Sequence, residues 1–451
     1  MPSLKDIQQK LRTGNISELA RGSFRSFLLR IAGIGVTYLF TVSVTRLMGS
    51  DVYGAFMLAQ TVLMVSLMVA RMGSDRVILR WVSSLRATGR KAEIAESFKS
   101  SLRLVLPLSV LMIGLVWVLA PWVGHLLIDR PGGASFLRWM VLGILPMALL
   151  FLTSEALRGL KRVEEAMTLR NVIPFGIGLL FLFLIQGNGT VLVPVRSYLI
   201  GMTAASALGL FLWWWHNGWN GVKGGEGSNG PLELMKVGFP FFLSSSMFLI
   251  MNWADLMMLG YFLKDQEVGV YSVAMRVANL NNVALYAVNM IAAPKFSEKY
   301  AQGDMEGLNR LVRRATNMVF AVVLPLVLLI VLWAAPILSL FGSSFQAGYF
   351  TLILLALGKF VNAASGSVMY FLQMTGREKV GQYILMGAVV ANIGLNLALI
   401  PTWGIEGAAL ASAISVAGWN IYGGIYIWRH YRILTFFQPF FSPKKPRDPD
   451  A

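Results

Sequence analysis

Twelve apolar stretches of about 20 residues run through this chain and constrain its fold more than any other feature. About 20 apolar residues in a helix cross the roughly 30 Å hydrocarbon core of a bilayer. Inside lipid the backbone polar groups must be bonded within the protein, so each stretch predicts a membrane-spanning helix. The predicted spans lie near residues 24–48, 54–72, 102–122, 136–157, 167–186, 192–215, 234–260, 269–293, 314–335, 348–374, 381–400 and 404–428.

The composition agrees with a lipid environment and excludes several classes of function. Charged residues make up 14% of the chain, against about 25% in soluble domains. The net charge of +17 lies in short loops, with no compact basic domain for nucleic acid, so no nucleic-acid partner is expected. There is no cysteine and the three histidines lie far apart in the sequence, so we expect no metal site, no thiol catalysis and no cofactor.

Basic residues alternate between the gaps that separate the spans. The even gaps and the C-terminal tail hold most of them: Arg76, Arg80, Arg86, Arg90, Lys91, Lys99, Arg158, Lys161, Arg162, Lys223, Lys295, Lys299, Arg310, Arg377, Lys379, Lys444, Lys445 and Arg447. The odd gaps and their margins hold Arg46, Arg130, Arg138, Arg196 and Lys264. Because basic loops stay in the cytoplasm, both termini are predicted to be cytoplasmic.

The two halves of the chain resemble each other at a nearly constant offset. Asp51 pairs with Glu267, Pro107 with Pro325, Gly159 with Gly376 and Gly189 with Gly404, at offsets between 215 and 218 residues. An even number of spans per half inserts both copies with the same orientation, which predicts two parallel-repeat six-helix lobes around a central cavity. The predicted parts are an N-terminal cytoplasmic segment 1–23, an N-lobe 24–216, a Gly-rich linker 217–232, a C-lobe 233–430 and a cytoplasmic tail 431–451.

Span ten carries the first candidate for substrate contact. An ionisable side chain inside a span costs ~2.5–3.5 kcal/mol, so it usually faces a cavity or a partner. Lys359 lies near the middle of the span, with no carboxylate one turn away. On one continuous helix Lys359, Asn362, Tyr370 and Gln373 would share an arc of about 80°. The alternative is that Lys359 pairs with Asp255 or Glu155 from another helix.

Span eight and span one carry further candidates for a polar cavity. On span eight these are Arg276, Asn279, Asn282 and Tyr286. Arg276 could equally extend its long side chain so that the charged group reaches the outer surface of the membrane. Asparagines often join helices by hydrogen bonds instead of binding a substrate. Arg30 on span one could meet lipid headgroups as well as a ligand.

The sign of the interior charges indicates the class of substrate. The cations Lys359, Arg276 and Arg30 suit an anionic group such as a lipid pyrophosphate. The main interior carboxylates are Asp255 and Glu155, which are candidates for ion coupling or for structural pairing. No nucleotide-binding loop and no catalytic residue is identified, so we predict a transporter rather than an enzyme.

Several ordered segments resemble the polysaccharide (O-antigen type) flippases of the multidrug/oligosaccharidyl-lipid/polysaccharide exporter superfamily. They are TRLMGSDVYGAF at 45–56, MGSDRVILRWVS at 72–83, LRGLKR at 157–162, GFPFFLSSSMFLIMNWADLMMLGYFLKDQEVGVYSVA at 238–274, APKFSEKY at 293–300 and IPTWGIEGAALASAIS at 400–415. In this resemblance Asp255 occupies a position that is recurrently acidic and Arg276 one that is often basic. Lys359 has no such counterpart, so its role rests on the helical-face argument.

The resemblance implies an alternating-access flippase in the bacterial cytoplasmic (inner) membrane. It would move an undecaprenyl-pyrophosphate-linked oligosaccharide to the outer leaflet, coupled to an ion gradient. The partners expected are the lipid-linked oligosaccharide, the bilayer and polysaccharide assembly proteins, and the two lobes of one chain already form a complete path. Two alternatives remain: a drug or cation antiporter of the same fold, and a membrane glycan polymerase or ligase, for which the outer loops are short.

Overall fold

A computed structural model describes residues 4–185, 190–218 and 231–438, without the side chains at 4–24, 26–27, 91–92, 231–232 and several positions between 240 and 252. Most of the described residues are helical, and short turns join the helices, with one 3-10 helix at Ser343–Gly348. The helices are α1 (Leu4–Arg71), α2 (Ser74–Ala87), α3 (Lys91–Leu127), α4 (Gly133–Val141), α5 (Ile144–Gly159), α6 (Val163–Asn171), α7 (Ile173–Ile185), α8 (Val193–Asn217), α9 (Pro231–Phe262), α10 (Asp265–Ala278), α11 (Asn281–Ala301), α12 (Met305–Leu332), α13 (Ala334–Ser339), α14 (Tyr349–Ala364), α15 (Val368–Met374) and α16 (Glu378–Tyr431).

Eight helical segments of the described chain are long and apolar enough to cross a membrane. Two of them, in α1 and α16, contain a glycine with non-helical backbone angles, Gly49 and Gly404, and each joins two predicted spans across a kink. The eight segments therefore contain ten of the twelve predicted spans. The other two predicted spans fall on α9 and on α10 with α11, so the count of twelve stays a prediction. Most of the predicted linker 217–232 lies outside the described residues.

The chain divides into two compact units. Unit 1 comprises Met1–Met48, Ala59–Leu126 and Arg130–Ser246, and unit 2 comprises Gly49–Leu58, Leu127–Asp129 and Met247–Ala451. In unit 1, α8 packs against α5 and α7, and α5 packs against α2 and α6. Its core includes Trp213 stacked on Phe98, with ring centroids 4.3 Å apart.

Unit 2 is built around α14 and α16. These two helices pack along each other, and α14 also contacts α10, α11 and α12. One core cluster, centred on Phe296 and Phe371, fills the space between α11, α12, α15 and the end of α16. The rings of these two phenylalanines are fully buried. This packing fixes the helices that surround the cavity described below.

Two glycines allow segments of unit 2 to touch through their backbones. A Cβ added to Gly54 would clash with the carbonyl oxygen of Asp265, and one added to Gly269 would clash with the carbonyl oxygen of Ser50. The contact is reciprocal, because Ser50 and Asp265 are 215 positions apart and so are Gly54 and Gly269. Reciprocal contacts are typical of two-fold related copies, and the offset agrees with the repeat found in the sequence.

After α16 the chain turns back and packs into unit 2. Arg432 takes a left-handed conformation with φ 55° and ends the helix. The Phe437 N–H donates to the carbonyl of Ala364 at 2.8 Å, and its ring stacks on Phe320 with centroids 3.7 Å apart. Thr316 Oγ1 donates to the carbonyl of Thr435 at 2.9 Å. Residues 432–438 therefore cover the end of α14, where a free carbonyl would otherwise lack a partner.

The close glycine contact predicts that a single methyl group destabilises unit 2. Gly269→Ala or Gly54→Ala forces the two backbones apart, which costs about 1–3 kcal/mol by overpacking. Thermal unfolding of the purified protein should therefore shift to lower temperature in both variants. Gly387→Ala is the matched control, since nothing lies within 4 Å of its added Cβ, and it should be neutral or slightly stabilising. Equal melting temperatures for all three variants would contradict the contact.

Candidate functional site

A small polar cavity lies between four helices of unit 2. Its walls come from α9, α10, α14 and both halves of α16, and Met251, Met275, Leu355 and Val416 supply much of its apolar surface. The polar lining residues are Asp255, Lys359, Asn392, Ser412 and Ser415. About 20 Å³ is open to the centres of water-sized molecules, which is room for about one water. We call this space the Lys359 cavity.

Asp255 is the centre of a hydrogen-bond network in the wall of the Lys359 cavity. The residue is 1% exposed. Its Oδ1 accepts from Asn396 Nδ2 at 2.7 Å, and its Oδ2 accepts from Tyr271 OH at 2.8 Å and from Ser412 Oγ. A buried carboxylate needs such donors, because an unpaired charge away from water is very costly. Asp255 thus has the structural partners that the sequence analysis left open.

The network joins α9 and α10 to both halves of α16. Asn396 lies before the kink at Gly404 and Ser412 lies after it. The carboxylate of Asp255 therefore bonds to α16 on both sides of its non-helical glycine. Because Asn396 and Ser412 lie on opposite sides of the kink, its angle sets the distance between these two donors.

Lys359 is the cation of the cavity. It is half-buried on α14, and within the described chain it forms no hydrogen bond and no ion pair within 4 Å. The direct Lys359–Asp255 pair that the sequence analysis kept as an alternative is therefore not formed. Among the described residues the ammonium group of Lys359 therefore has no bonded counter-ion, and it can bind an anion.

Two further polar groups in the cavity wall have unused bonding capacity. Asn392 is fully buried and Ser415 is 4% exposed. The Asn392 Nδ2 and the Ser415 Oγ have no hydrogen-bond partner among the described residues. A buried polar group left without a partner costs about 1–3 kcal/mol. Together with Lys359 they provide three donors that can bind one small anionic or hydroxyl-bearing group.

The shared arc predicted for span ten is wrong beyond Ala364. Gly366 takes a φ of 75° and the helix breaks, so α14 ends at Ala364 and α15 begins at Val368. Positions on different helices do not share one helical wheel. Tyr370 therefore lies on another helix than Lys359, and it is half-buried. Asn362 stays on α14 but is buried, and its Oδ1 accepts from Asn420 Nδ2 at 3.0 Å.

The broad polar face predicted for span eight is interrupted by a tighter turn, in which Asn279 and Leu280 keep helical backbone angles but the hydrogen bonds join residues three apart. α10 ends at Ala278 and α11 begins at Asn281, so Arg276 and Tyr286 lie on different helices. The Nη2 of Arg276 lies 4.0 Å from Met57 Sδ. These residues do not line the Lys359 cavity, and neither do the two asparagines of this region. Asn282 Nδ2 donates to Asn279 Oδ1 at 3.2 Å, and Tyr286 is 41% exposed.

Glu155 has structural partners within unit 1. The carboxylate is 2% exposed. Arg158 Nη1 reaches its two oxygens at 2.6 and 2.9 Å, and Arg170 Nη1 reaches it at 3.0 Å. Arg170 and Arg71 both pack on the ring of Phe151, at 4.2 and 4.3 Å from its centroid. With two guanidinium partners Glu155 fits a pairing role. Arg30, also in unit 1, is half-buried on α1.

Four residues of the site were not predicted to be there. Tyr271 and Ser412 donate to Asp255, while Asn392 and Ser415 line the cavity. Ser412 and Ser415 are three positions apart, which places them on one helical face, and that spacing in the segment ALASAIS is the signal that could have identified them. Nothing in the sequence pairs Tyr271 with Asp255, because the helix break between them decides the contact.

The family of the chain follows from its match to known proteins. Residues 19–299, more than half of the chain, match the family described as "Polysaccharide biosynthesis protein". The chain belongs to this family. Residues 240–398 also match the family described as MatE. The two matches place the chain in the multidrug/oligosaccharidyl-lipid/polysaccharide exporter superfamily, which confirms that part of the resemblance.

Two similar proteins come from the archaeon Haloferax volcanii. The "Probable low-salt glycan biosynthesis flippase Agl15" is 25% identical over 404 residues, which are 89% of this chain and 81% of that protein. The "Probable flippase AglR" is 27% identical over 168 residues, which are 37% of this chain and 35% of that protein. The chain is thus similar to flippases, one of them along nearly its whole length.

Solved structures of two transporter types share the fold. The lipid II flippase MurJ in an inward closed conformation gives a TM-score of 0.74 at 16% identity, covering 90% of this chain and 87% of that one. An inward-facing MATE multidrug transporter gives 0.67 at 17% identity, covering 90% and 98%. At such identities the likeness shows the fold alone, and it confirms the predicted all-α membrane class.

The Asp255 network predicts different effects for two substitutions. Asp255→Leu leaves the hydroxyls of Tyr271 and Ser412 and the amide of Asn396 without an acceptor, at about 1–3 kcal/mol per buried donor. We expect a large drop in the thermal unfolding temperature of the purified protein. Asp255→Asn keeps one acceptor oxygen and a similar volume, so its melting temperature should lie between those of the wild type and of Asp255→Leu. Equal stability of the two variants would show that the network does not hold the helices.

Proposed function

We propose that the protein is a flippase for a lipid-linked oligosaccharide carried on undecaprenyl pyrophosphate. In this proposal it moves the lipid from the cytoplasmic to the outer leaflet by alternating access and is not an enzyme. The observation that carries the proposal is the Lys359 cavity, where one membrane-embedded ammonium group faces polar surface without a bonded counter-ion. The similarity to a glycan biosynthesis flippase over most of the chain supports the same substrate class.

The charge balance of the cavity favours an anionic substrate. Its carboxylate, Asp255, accepts three hydrogen bonds, whereas the ammonium of Lys359 is not engaged. A site for a cationic drug would instead present a free carboxylate. A pyrophosphate oxygen can accept from Lys359 and from the unused donors of Asn392 and Ser415, since charge-assisted hydrogen bonds are the strong ones. Arg276 and Arg30 are proposed as further cations that the pyrophosphate meets on its path.

The size of the cavity requires a conformational change during transport. Room for about one water is far too little for a sugar chain, so this form cannot hold the sugars in the Lys359 cavity. Opening requires the helices around the cavity to move, and α16 carries a kink at Gly404 beside them. We propose that Asp255 is the group that couples this movement to an ion gradient, because its hydrogen bonds span the kink. Glu155, held by two arginines, is assigned a structural role.

The proposed location is the cytoplasmic membrane, with both termini in the cytoplasm. The apolar helices and the flippase relatives establish a multi-pass membrane protein. The orientation rests on the distribution of basic loop residues. The bacterial inner membrane stays a prediction, since the relatives named above are archaeal. Polysaccharide assembly proteins and action as a monomer are likewise part of the proposal.

A drug or cation antiporter is the second candidate, because residues 240–398 match MatE and MATE transporters share the fold. The two functions differ in their phenotype. Loss of an antiporter sensitises cells to cationic dyes and leaves surface glycans intact. Loss of a flippase depletes surface glycans and accumulates lipid-linked units on the cytoplasmic side.

Substitution of Lys359 tests the proposed function. Removal of a charge-assisted hydrogen bond worth about 1.5–3 kcal/mol should lower glycan translocation roughly 10- to 100-fold in Lys359→Ala. Lys359→Arg should retain part of it. Surface polysaccharide is measured against protein level in cells, and translocation of a lipid-linked glycan in proteoliposomes. Arg276→Ala is expected to reduce output as well.

The control is Lys379→Ala, an exposed cation outside the cavity, which should have wild-type output. Normal output from both Lys359→Ala and Arg276→Ala would remove these residues from the mechanism. Intact glycans combined with dye sensitivity would favour the antiporter.

A further inference from the structure

A second, larger pocket lies where α11 ends and α12 begins. About 460 Å³ of it is open to the centres of water-sized molecules. Four cations line it, Lys295 and Lys299 on α11 and Arg310 and Arg314 on α12. Within each helix the two cations are four positions apart and therefore lie on one face. The two faces converge, so the four positive groups surround one concave space, which we call the basic pocket.

The acidic residues of the basic pocket neutralise only part of this charge. Asp304 accepts from Lys299 Nζ at 2.8 Å and from the Gly307 N–H at 2.7 Å. The hydrogen bond from Lys299, followed by that from Gly307, holds the pKa of Asp304 below its ordinary value. The Asp304 carboxylate therefore stays charged and is engaged with Lys299 and the start of α12. Lys299 is therefore the one cation of the pocket whose charge is neutralised by Asp304.

The other three cations have little or no acidic partner. Among the described residues Arg310 forms one ion pair, with Glu306 at 4.0 Å, and both side chains are more than 60% exposed. Such surface pairs contribute little. Lys295 and Arg314 form no hydrogen bond or ion pair with any described residue. The second acidic lining residue, Glu298, accepts from Gln302 at 3.4 Å. An excess of positive charge is left facing the pocket.

The basic pocket lies at the predicted boundary of the hydrocarbon core. The predicted span on α11 ends at residue 293 and the span on α12 begins at 314, next to Lys295 and Arg314. Exposed apolar residues continue each cationic face into the membrane, four positions from the innermost cation. They are Ile291 on α11, which is 63% exposed, and Met318 on α12, which is 64% exposed. The basic pocket, with an apolar surface directly beside it on the membrane side, fits a lipid, whose charged headgroup is joined to acyl chains.

We propose that the basic pocket binds the phosphate group of an anionic membrane phospholipid on the cytoplasmic side of the membrane. Clusters of lysine and arginine at this level attract anionic lipids, and guanidinium groups bind phosphate oxygens with good geometry. The apolar stripe below the pocket is what distinguishes a lipid from a free phosphate. The proposal does not depend on the transported substrate, because the pocket is separate from the Lys359 cavity.

The experiment compares lipid binding by two matched double variants of the full-length protein. The test variant is Lys295→Gln with Arg314→Gln, and the control is Lys379→Gln with Arg429→Gln, two exposed cations outside the pocket. Each protein is placed in phosphatidylcholine nanodiscs with increasing phosphatidylglycerol, and retained lipid is measured by native mass spectrometry. We expect the test variant to bind phosphatidylglycerol about 10- to 30-fold more weakly than the wild type. The control should bind as the wild type does.

Three results would overturn the proposal. Equal retention of phosphatidylglycerol by the test variant and the wild type would show that the basic pocket is a solvated surface, and an equal loss in the control would show that binding follows total charge. In a separate arm the protein in pure phosphatidylcholine is titrated with inorganic phosphate. Micromolar binding of phosphate that disappears in the test variant would identify a free anion as the ligand instead of a lipid. A melting temperature equal to that of the wild type in pure phosphatidylcholine confirms that the test variant is folded.

Discussion

The arrangement of unit 2 depends on one buried carboxylate. Asp255 lies within a predicted span and accepts hydrogen bonds from α10 and from both halves of α16, which satisfies its buried carboxyl oxygens. In doing so it fixes the helices that form the wall of the Lys359 cavity. The same bonds connect Asp255 to α16 on both sides of the kink at Gly404, so the hydrogen bonding of the carboxyl group depends on the conformation of α16. A proton or cation that reaches Asp255 would weaken its hold on these donors, which gives the proposed coupling a physical basis.

Glycines supply the second structural requirement, which is close approach of backbones without side chains. In membranes small residues at helix contacts replace the hydrophobic driving force of water-soluble cores. The reciprocal contact of Gly54 and Gly269 with the backbone at Asp265 and Ser50 shows this directly. It also links the internal repeat to the structure, since the contact repeats at the sequence offset. The kinks at Gly49 and Gly404 have another role, because there the backbone angles themselves depart from the helix.

Much of the fold could be predicted from sequence, because the length of the apolar segments and the charge of the loops determine how a chain inserts into a bilayer. The all-α membrane class, the candidate for the cavity cation and the pairing alternatives for Asp255 and Glu155 came from such properties. The errors have one cause. A helical wheel assumes an unbroken helix, and the breaks at Gly366 and between Ala278 and Asn281 moved Tyr370 and Tyr286 off the faces assigned to them. The donors Tyr271 and Ser412 were missed because contacts between distant helices are set by tertiary packing.

Cysteine accessibility of the Lys359 cavity tests the central claim, which is that this narrow site widens during transport and admits the substrate. The chain has no cysteine of its own, so Met275→Cys, on the cavity wall, provides a single label site. In membrane vesicles we predict modification by a charged thiol reagent, slowed by an added lipid-linked oligosaccharide. Leu357→Cys, an exposed apolar position two residues from Lys359, should react little because it faces lipid. No modification at Met275→Cys, or a rate that the glycan lipid leaves unchanged, would contradict the account.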